Sequence, residues 1–148
     1  MGMTNMKREL DLVTHAIHAV FVYAACTEDG FVKVGISRTP YDRIYQVHCG
    51  SPSPVKAAQW VWVGSLQKGR EIERRIRKEW DQRHCRGEWY RFDYAKPEDK
   101  RDFHDTLGAV IEVVTGVAPD WTKLGPVKVA ELIQAGHKMV KQKQKTPL

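Results

Sequence analysis

Hydrophobic and polar residues alternate over two neighbouring stretches near the start of the chain. Residues 20–25 and 31–36 are rich in β-branched and aromatic side chains, and Thr27-Glu28-Asp29-Gly30 lies between them. This pattern predicts a β-hairpin with its turn at Asp29-Gly30. With the turn centred near Glu28, Val20 faces Ile36, Val22 faces Val34 and Ala24 faces Val32, an apolar side that belongs to the core. The opposite side, expected to be solvated, then sets Tyr23 across from Lys33 and Phe21 across from Gly35. A slip of one residue would bury Lys33, so the pattern selects against it.

The period then changes. Tyr41, Ile44, Tyr45 and His48 recur at helical spacing, with Pro40 suited to the first turn and Ser37 a candidate cap. Gly50-Ser51-Pro52-Ser53-Pro54 ends that helix. Residues 55–63 predict a third strand, with Trp60 and Trp62 on one face and Val61 and Val63 on the other. Residues 66 to about 82 form the strongest helical pattern, seamed by Ile72, Ile76 and Trp80. Residues 87–92 read as a turn into a short strand. Lys96-Pro97 opens a helix to about residue 115, and a Gly- and Pro-bearing linker near residues 117–126 leads to a last basic helix. The order β-β-α-β-α implies an α+β fold. The expected organisation is an N-terminal extension (1–17), a domain with a small three-stranded antiparallel sheet flanked by helices (18–95), and a basic, helical C-terminal extension (96–148).

Composition narrows the partners. At 148 residues, 42% hydrophobic and 28% charged, the chain has the make-up of a globular domain with extensions. No stretch approaches the run of about 20 apolar residues that spans a bilayer, and residues 1–11 lack a signal-peptide layout. A cytoplasmic location without membrane attachment is the expectation. Three cysteines are too few for a disulfide scaffold. The net charge is +6, and the excess is clustered. Residues 66–86 carry eight Lys/Arg against four acids, and residues 123–148 carry six Lys against one Glu. Such clusters point to a polyanionic partner, nucleic acid first, although a solvated basic helix gives the same pattern. The last helix also has apolar positions, Val127, Ala130, Leu132, Ile133 and Val140, that suit docking to a protein partner.

Chemistry enters through the order of motifs. Val22-Tyr23, then Lys33-Val34-Gly35, then Arg43 eight positions after that glycine, then Glu73 on the helix after the third strand, resembles the GIY-YIG endonuclease superfamily. Arg86-Gly87-Glu88-Trp89-Tyr90 resembles the Gly-Glu-Trp-Phe signature of a divergent phage and bacterial branch. The resemblance spans about residues 18 to 95. It implies a GIY-YIG-like fold and metal-dependent hydrolysis of DNA, with DNA ahead of RNA as the partner. Tyr23, Lys33, Arg43 and Glu73 would then be the catalytic residues, with Glu73 holding Mg²⁺ or another divalent cation. Ser37, Arg38, His48, Arg70, Arg74 and Arg77 are the expected nucleic-acid contacts. The chain departs from the family where Lys33 replaces the tyrosine of the second triplet. An ammonium beside Tyr23 would lower the phenol's pKa and make it a better general base, and Arg43 offers a fork to phosphate oxygens.

Plainer readings exist for each. Glu73 could pair with Arg77 one helical turn on, and Arg43 with Asp42 or Glu28. His48-Cys49 and His84-Cys85 have poor spacing for zinc. Trp60, Trp62 and Trp89 could stack on bases but more often pack under a helix. The alternative functions are a catalytically inactive nucleic-acid-binding module of the same fold and a protein-interaction factor.

Overall fold

The computed structural model describes residues 19–145. The expected extension at residues 1–17 lies outside them. The chain folds into strands β1 (Phe21–Thr27) and β2 (Phe31–Ser37), helix α1 (Pro40–Gly50), strand β3 (Val55–Trp62) and helix α2 (Leu66–Glu79). A short 3₁₀ turn (Asp81–Arg83) leads to strands β4 (His84–Arg86) and β5 (Trp89–Arg91). Helix α3 (Pro97–Thr115), strand β6 (Thr122–Leu124) and helix α4 (Pro126–Lys145) complete the order. The class is α+β, but the sheet is not three-stranded. Its six strands run in the order β4-β5-β2-β1-β3-β6, each pair antiparallel. The three extra strands are three residues each, too short for an alternation pattern to mark them all. β6, in the segment expected to be a linker, pairs its Thr122, Lys123 and Leu124 with β3.

The hairpin register differs from the expected one by two residues. Tyr23 lies across from Gly35, Ala24 from Val34 and Ala25 from Lys33. The turn explains the offset. Thr27 Oγ1 accepts the Phe31 N–H at 3.0 Å and donates to Asp29 Oδ1 at 2.6 Å, closing a three-residue loop around Asp29 rather than Glu28. Gly30 supplies the positive φ of +92° that this loop requires. A shift of two preserves side-chain parity. Val22, Ala24, Val32 and Val34 therefore share one core face as expected, while every cross-strand partner changes.

Both sheet faces are covered. On the first, α2 and α3 bring Ile72, Ile76, Trp80, Phe103, Leu107, Val110 and Ile111 onto β1, β2 and β5. Trp80 joins three elements, its ring 5.3 Å from Tyr90, 4.7 Å from Phe92 and 6.0 Å from Phe103. Arg83 stacks on Phe92 and pairs with Asp102 at 2.6 Å and Asp99 at 3.2 Å, which ties α3 to the sheet edge. On the second face, expected to be solvated, α1 and α4 cover Tyr23, Ala25, Ala58 and Trp60 with Ile44, Val47 and Val129. Trp60 is buried here while Trp62 is exposed.

Because α3 fills the main core, truncating a fully buried side chain on it destabilises the whole domain. Leu107→Ala should cost about 2–5 kcal/mol. Denaturant unfolding followed by tryptophan fluorescence checks this. A loss confined to far-ultraviolet helix signal, with the tryptophan transition unmoved, would mean that α3 unfolds independently.

Candidate active site

The site forms where β5 stops short. β5 pairs with β2 only over Phe31 to Lys33, and the Glu88 carbonyl then accepts the Val34 N–H at 3.3 Å. Beyond this point the β2 edge has no β5 partner. Tyr23 comes to this place from β1, its phenol lying over Gly35. A Cβ built on Gly35 would sit 2.5 Å from the Tyr23 hydroxyl oxygen. The glycine thus provides the space for the phenol.

Burial and charge set the chemistry of that phenol. Its pKa is pushed up to about 12, chiefly by desolvation and then by Glu88, with Glu73 adding a smaller push and Arg43 pulling the other way. Lys33 is not among the charges that act on it. Lys33 instead faces Ala25 on one side and Trp89 on the other, its ammonium 5.7 Å from the Trp89 ring centroid. The expected tyrosine–lysine pair is therefore replaced by a tyrosine–glycine pair, and the phenol is driven away from neutrality rather than toward it.

Glu73 projects from α2 and is half-buried. Desolvation first, then the charge of the Glu88 carboxylate near it and the proton the two carboxyls can share, raise its pKa to about 7, partly opposed by Arg70. The plain alternative for Glu73 fails: Arg77 pairs with Asp81 at 2.5 Å, while Glu71 is held by Arg74 at 2.6 Å and Arg75 at 2.8 Å. Tyr90 lies near the same group. Burial raises its pKa first, Arg77 opposes, and Glu88 and Glu73 raise it further. Among the described residues no three Asp, Glu, His or Cys side chains gather as a metal cluster; the site offers a pair of carboxyls.

The expected nucleic-acid contacts divide into committed and open groups. Ser37 is buried and its Oγ accepts the Thr39 N–H at 3.0 Å, shaping the entry to α1 rather than capping it directly. His48 Nδ1 accepts the Val55 N–H at 3.2 Å, and burial followed by the nearby His137 lowers its pKa. Arg74 and Arg77 are engaged by Glu71 and Asp81. Arg38, Arg43 and Arg70 are exposed and make no ion pair with a described residue. Glu28, one plain partner for Arg43, pairs with Lys56 at 3.1 Å.

The T5orf172 domain model matches residues 20–114, well over half of the chain. The chain belongs to the T5orf172 family. T5orf172 domains are phage-associated and occur in a GIY-YIG-related and HNH-like endonuclease context. Membership suggests a nucleic-acid-related role and is compatible with endonuclease activity. No curated protein and no solved structure matches the chain. No helix of the T5orf172 chain, among the described residues, is long and apolar enough to cross a membrane.

Glu88 is the residue that the sequence reading passed over. It stands inside Arg86-Gly87-Glu88-Trp89-Tyr90, the very stretch that carried part of the resemblance, but without a role. Only the β5 end brings it onto Glu73.

The packing of phenol on glycine is directly testable. Gly35→Ala should cost about 1–3 kcal/mol through overpacking. The same substitution in a Tyr23→Ala background should cost much less, as measured by a double-mutant cycle in denaturant. Equal costs in both backgrounds would show that the phenol does not occupy this space.

Proposed function

We propose that this T5orf172 domain is a metal-dependent endonuclease that hydrolyses DNA phosphodiester bonds, with Tyr23, Arg43, Glu73 and Glu88 as its catalytic group. The observation that carries the reading is the pairing of the Glu73 and Glu88 carboxyls, whose charges act on Tyr23 together with that of Arg43, in a family met in endonuclease contexts. Two carboxyls held close, one half-buried and the other exposed, repel one another when both ionise. Their oxygens are hard donors, which suits Mg²⁺, and that cation normally retains waters and binds through one or two carboxylates. When bound, it would supply a Lewis acid for a phosphoryl oxygen and offset the Glu88 and Glu73 charges, which add to desolvation in holding the proton on the phenol.

The chain's own residues divide the remaining work. Arg43 presents a two-pronged donor to the non-bridging oxygens and steadies the charge that grows on phosphorus. Arg38 and Arg70, exposed and without an ion pair among the described residues, add positive charge for the phosphate backbone. Tyr23 would act as the phenolate: its own proton first leaves to solvent, and Oη then takes the proton of the attacking water. Lys33, turned toward Trp89, serves the substrate rather than the phenol. A silent nucleic-acid-binding module of the same fold is the second reading, favoured by the Tyr23 phenol being held at about 12.

Plasmid DNA incubated with purified protein and Mg²⁺ separates the two. Glu73→Gln and Glu88→Gln should each lower cleavage by about a hundredfold or more, since the cation's charge stabilisation amounts to several kcal/mol. Tyr23→Phe should be inactive at every pH, having no proton to exchange. Wild-type cleavage in Glu73→Gln would sink the proposal.

Stability gives an independent readout of the carboxyl pair. The folded Glu73 pKa, about 7, exceeds its ordinary value of 4.5, so the folded state binds the proton more tightly than the unfolded one. The stabilisation from that proton is full below about 4.5 and is lost as pH rises through about 7. Glu73→Gln, which stays neutral, should therefore melt no lower than wild type at pH 8 in EDTA. Its relative advantage should shrink as pH falls toward about 4, as thermal denaturation across pH would record. A large loss of stability at pH 8 would mark Glu73 as a structural residue.

A further inference from the structure

Beside the carboxyl pair lies a groove of about 780 Å³, of whose lining the catalytic group supplies only Glu88. Its floor is formed by Phe31 and Lys33 of β2 and Trp89 of β5, and its walls are the loop after α1, through Ser51 and Ser53, and the β4–β5 turn, through Arg86 and Glu88. Glu88 and Trp89 are consecutive, so the groove opens directly onto the Glu73–Glu88 pair. Trp89 is only partly buried, and the Lys33 ammonium leans on its ring. Arg86 adds a second cation at the rim.

We propose that this groove holds one unpaired nucleotide of the DNA strand next to the scissile phosphate, its base stacked on Trp89. An aromatic face between two cations, with hydroxyls on the far wall, matches a nucleotide in each of its parts. The indole takes the base, Lys33 moves from the ring onto the flanking phosphate, and Ser51 and Ser53 line the sugar side. Stacking needs a free base face, which a paired and stacked base within a duplex does not offer. The proposal rests on the nuclease reading for its substrate, but it concerns binding alone and makes the domain selective for strands with unpaired positions.

The test is fluorescence anisotropy in EDTA with the full chain, so that no cleavage enters. Three labelled duplexes are compared: one fully paired, one with a single unpaired thymidine, and one with an abasic analogue at that unpaired position. The thymidine duplex should bind about tenfold or more tighter than the paired one, the affinity expected from one stacked base. The abasic duplex should lose that gain. Trp89→Leu should abolish the preference while Trp89→Phe keeps most of it, and affinity for the paired duplex should stay within about twofold. No preference in the wild type, or a preference that survives at the abasic position, overturns the proposal even if Trp89→Leu fails to fold. Failure of the nuclease reading would appear separately, as absence of Mg²⁺-dependent cleavage by a protein that retains the preference.

Discussion

The register of β1 on β2 sets Tyr23 across from Gly35, and the phenol fills the space that the missing side chain leaves. That single placement arranges everything around it. It holds Tyr23 in the cluster that α1 and α4 cover, and it sets the phenol where the charges of Glu88, at the start of β5, and Glu73 act on it. α2 then delivers Glu73 to the same spot, because Ile72 and Ile76 fix which side of that helix faces the core. Had the hairpin closed two residues differently, Tyr23 would have faced an ammonium and its pKa would have been lowered by that charge. The three-residue turn made by Thr27, Asp29 and Gly30 decides between these chemistries.

The consequence is a site under electrostatic load. Tyr23 is pushed up to about 12 and Glu73 to about 7, each first by desolvation and then by Glu88. Nearby, Glu71 has been drawn down to about 2 by Arg74 and Arg75 on the same helix. One helix thus carries a carboxylate paired with two arginines and, two positions on, a half-buried carboxyl with no ion pair among the described residues. Such contrast between adjacent groups is characteristic of places where stability is exchanged for chemistry. The basic residues follow the same division: Arg74, Arg75, Arg77 and Arg83 are tied up within the protein, whereas Arg38, Arg43 and Arg70 are open.

Much of this was legible in the chain itself. The first three strands, all four helices and the core side of the hairpin follow from periodicity, because side-chain parity survives a shift of two residues. Ile72, Ile76 and Trp80 were readable as a seam because each lies on one stripe of α2. What could not be read depended on contacts between distant segments. The exact hairpin pairing turns on a threonine hydroxyl, not on hydrophobicity. Strands of three residues such as β4 and β6 leave too little alternation to register, so the sheet looked half its width. The covering of the Tyr23 face by α4 hides in a helix whose apolar positions suit a partner as well as its own sheet; Val129, Leu132 and Ile133 face inward, while Val127 and Val140 do not. Glu88 is a surface residue by composition and acquires a partner only through the fold.

The central claim is that Glu73 and Glu88 together form a site for one divalent cation. Titration of Mn²⁺ into the DNA-free protein, followed by loss of the free-ion electron paramagnetic resonance signal, tests it most directly. The account expects one bound Mn²⁺ per chain near neutral pH, displaced by excess Mg²⁺, with protons released on binding because Glu73 must ionise. Glu88→Gln should abolish that binding as fully as Glu73→Gln. Mn²⁺ affinity unchanged in Glu88→Gln would contradict the claim, leaving Glu88 as a neighbour that merely perturbs its partner.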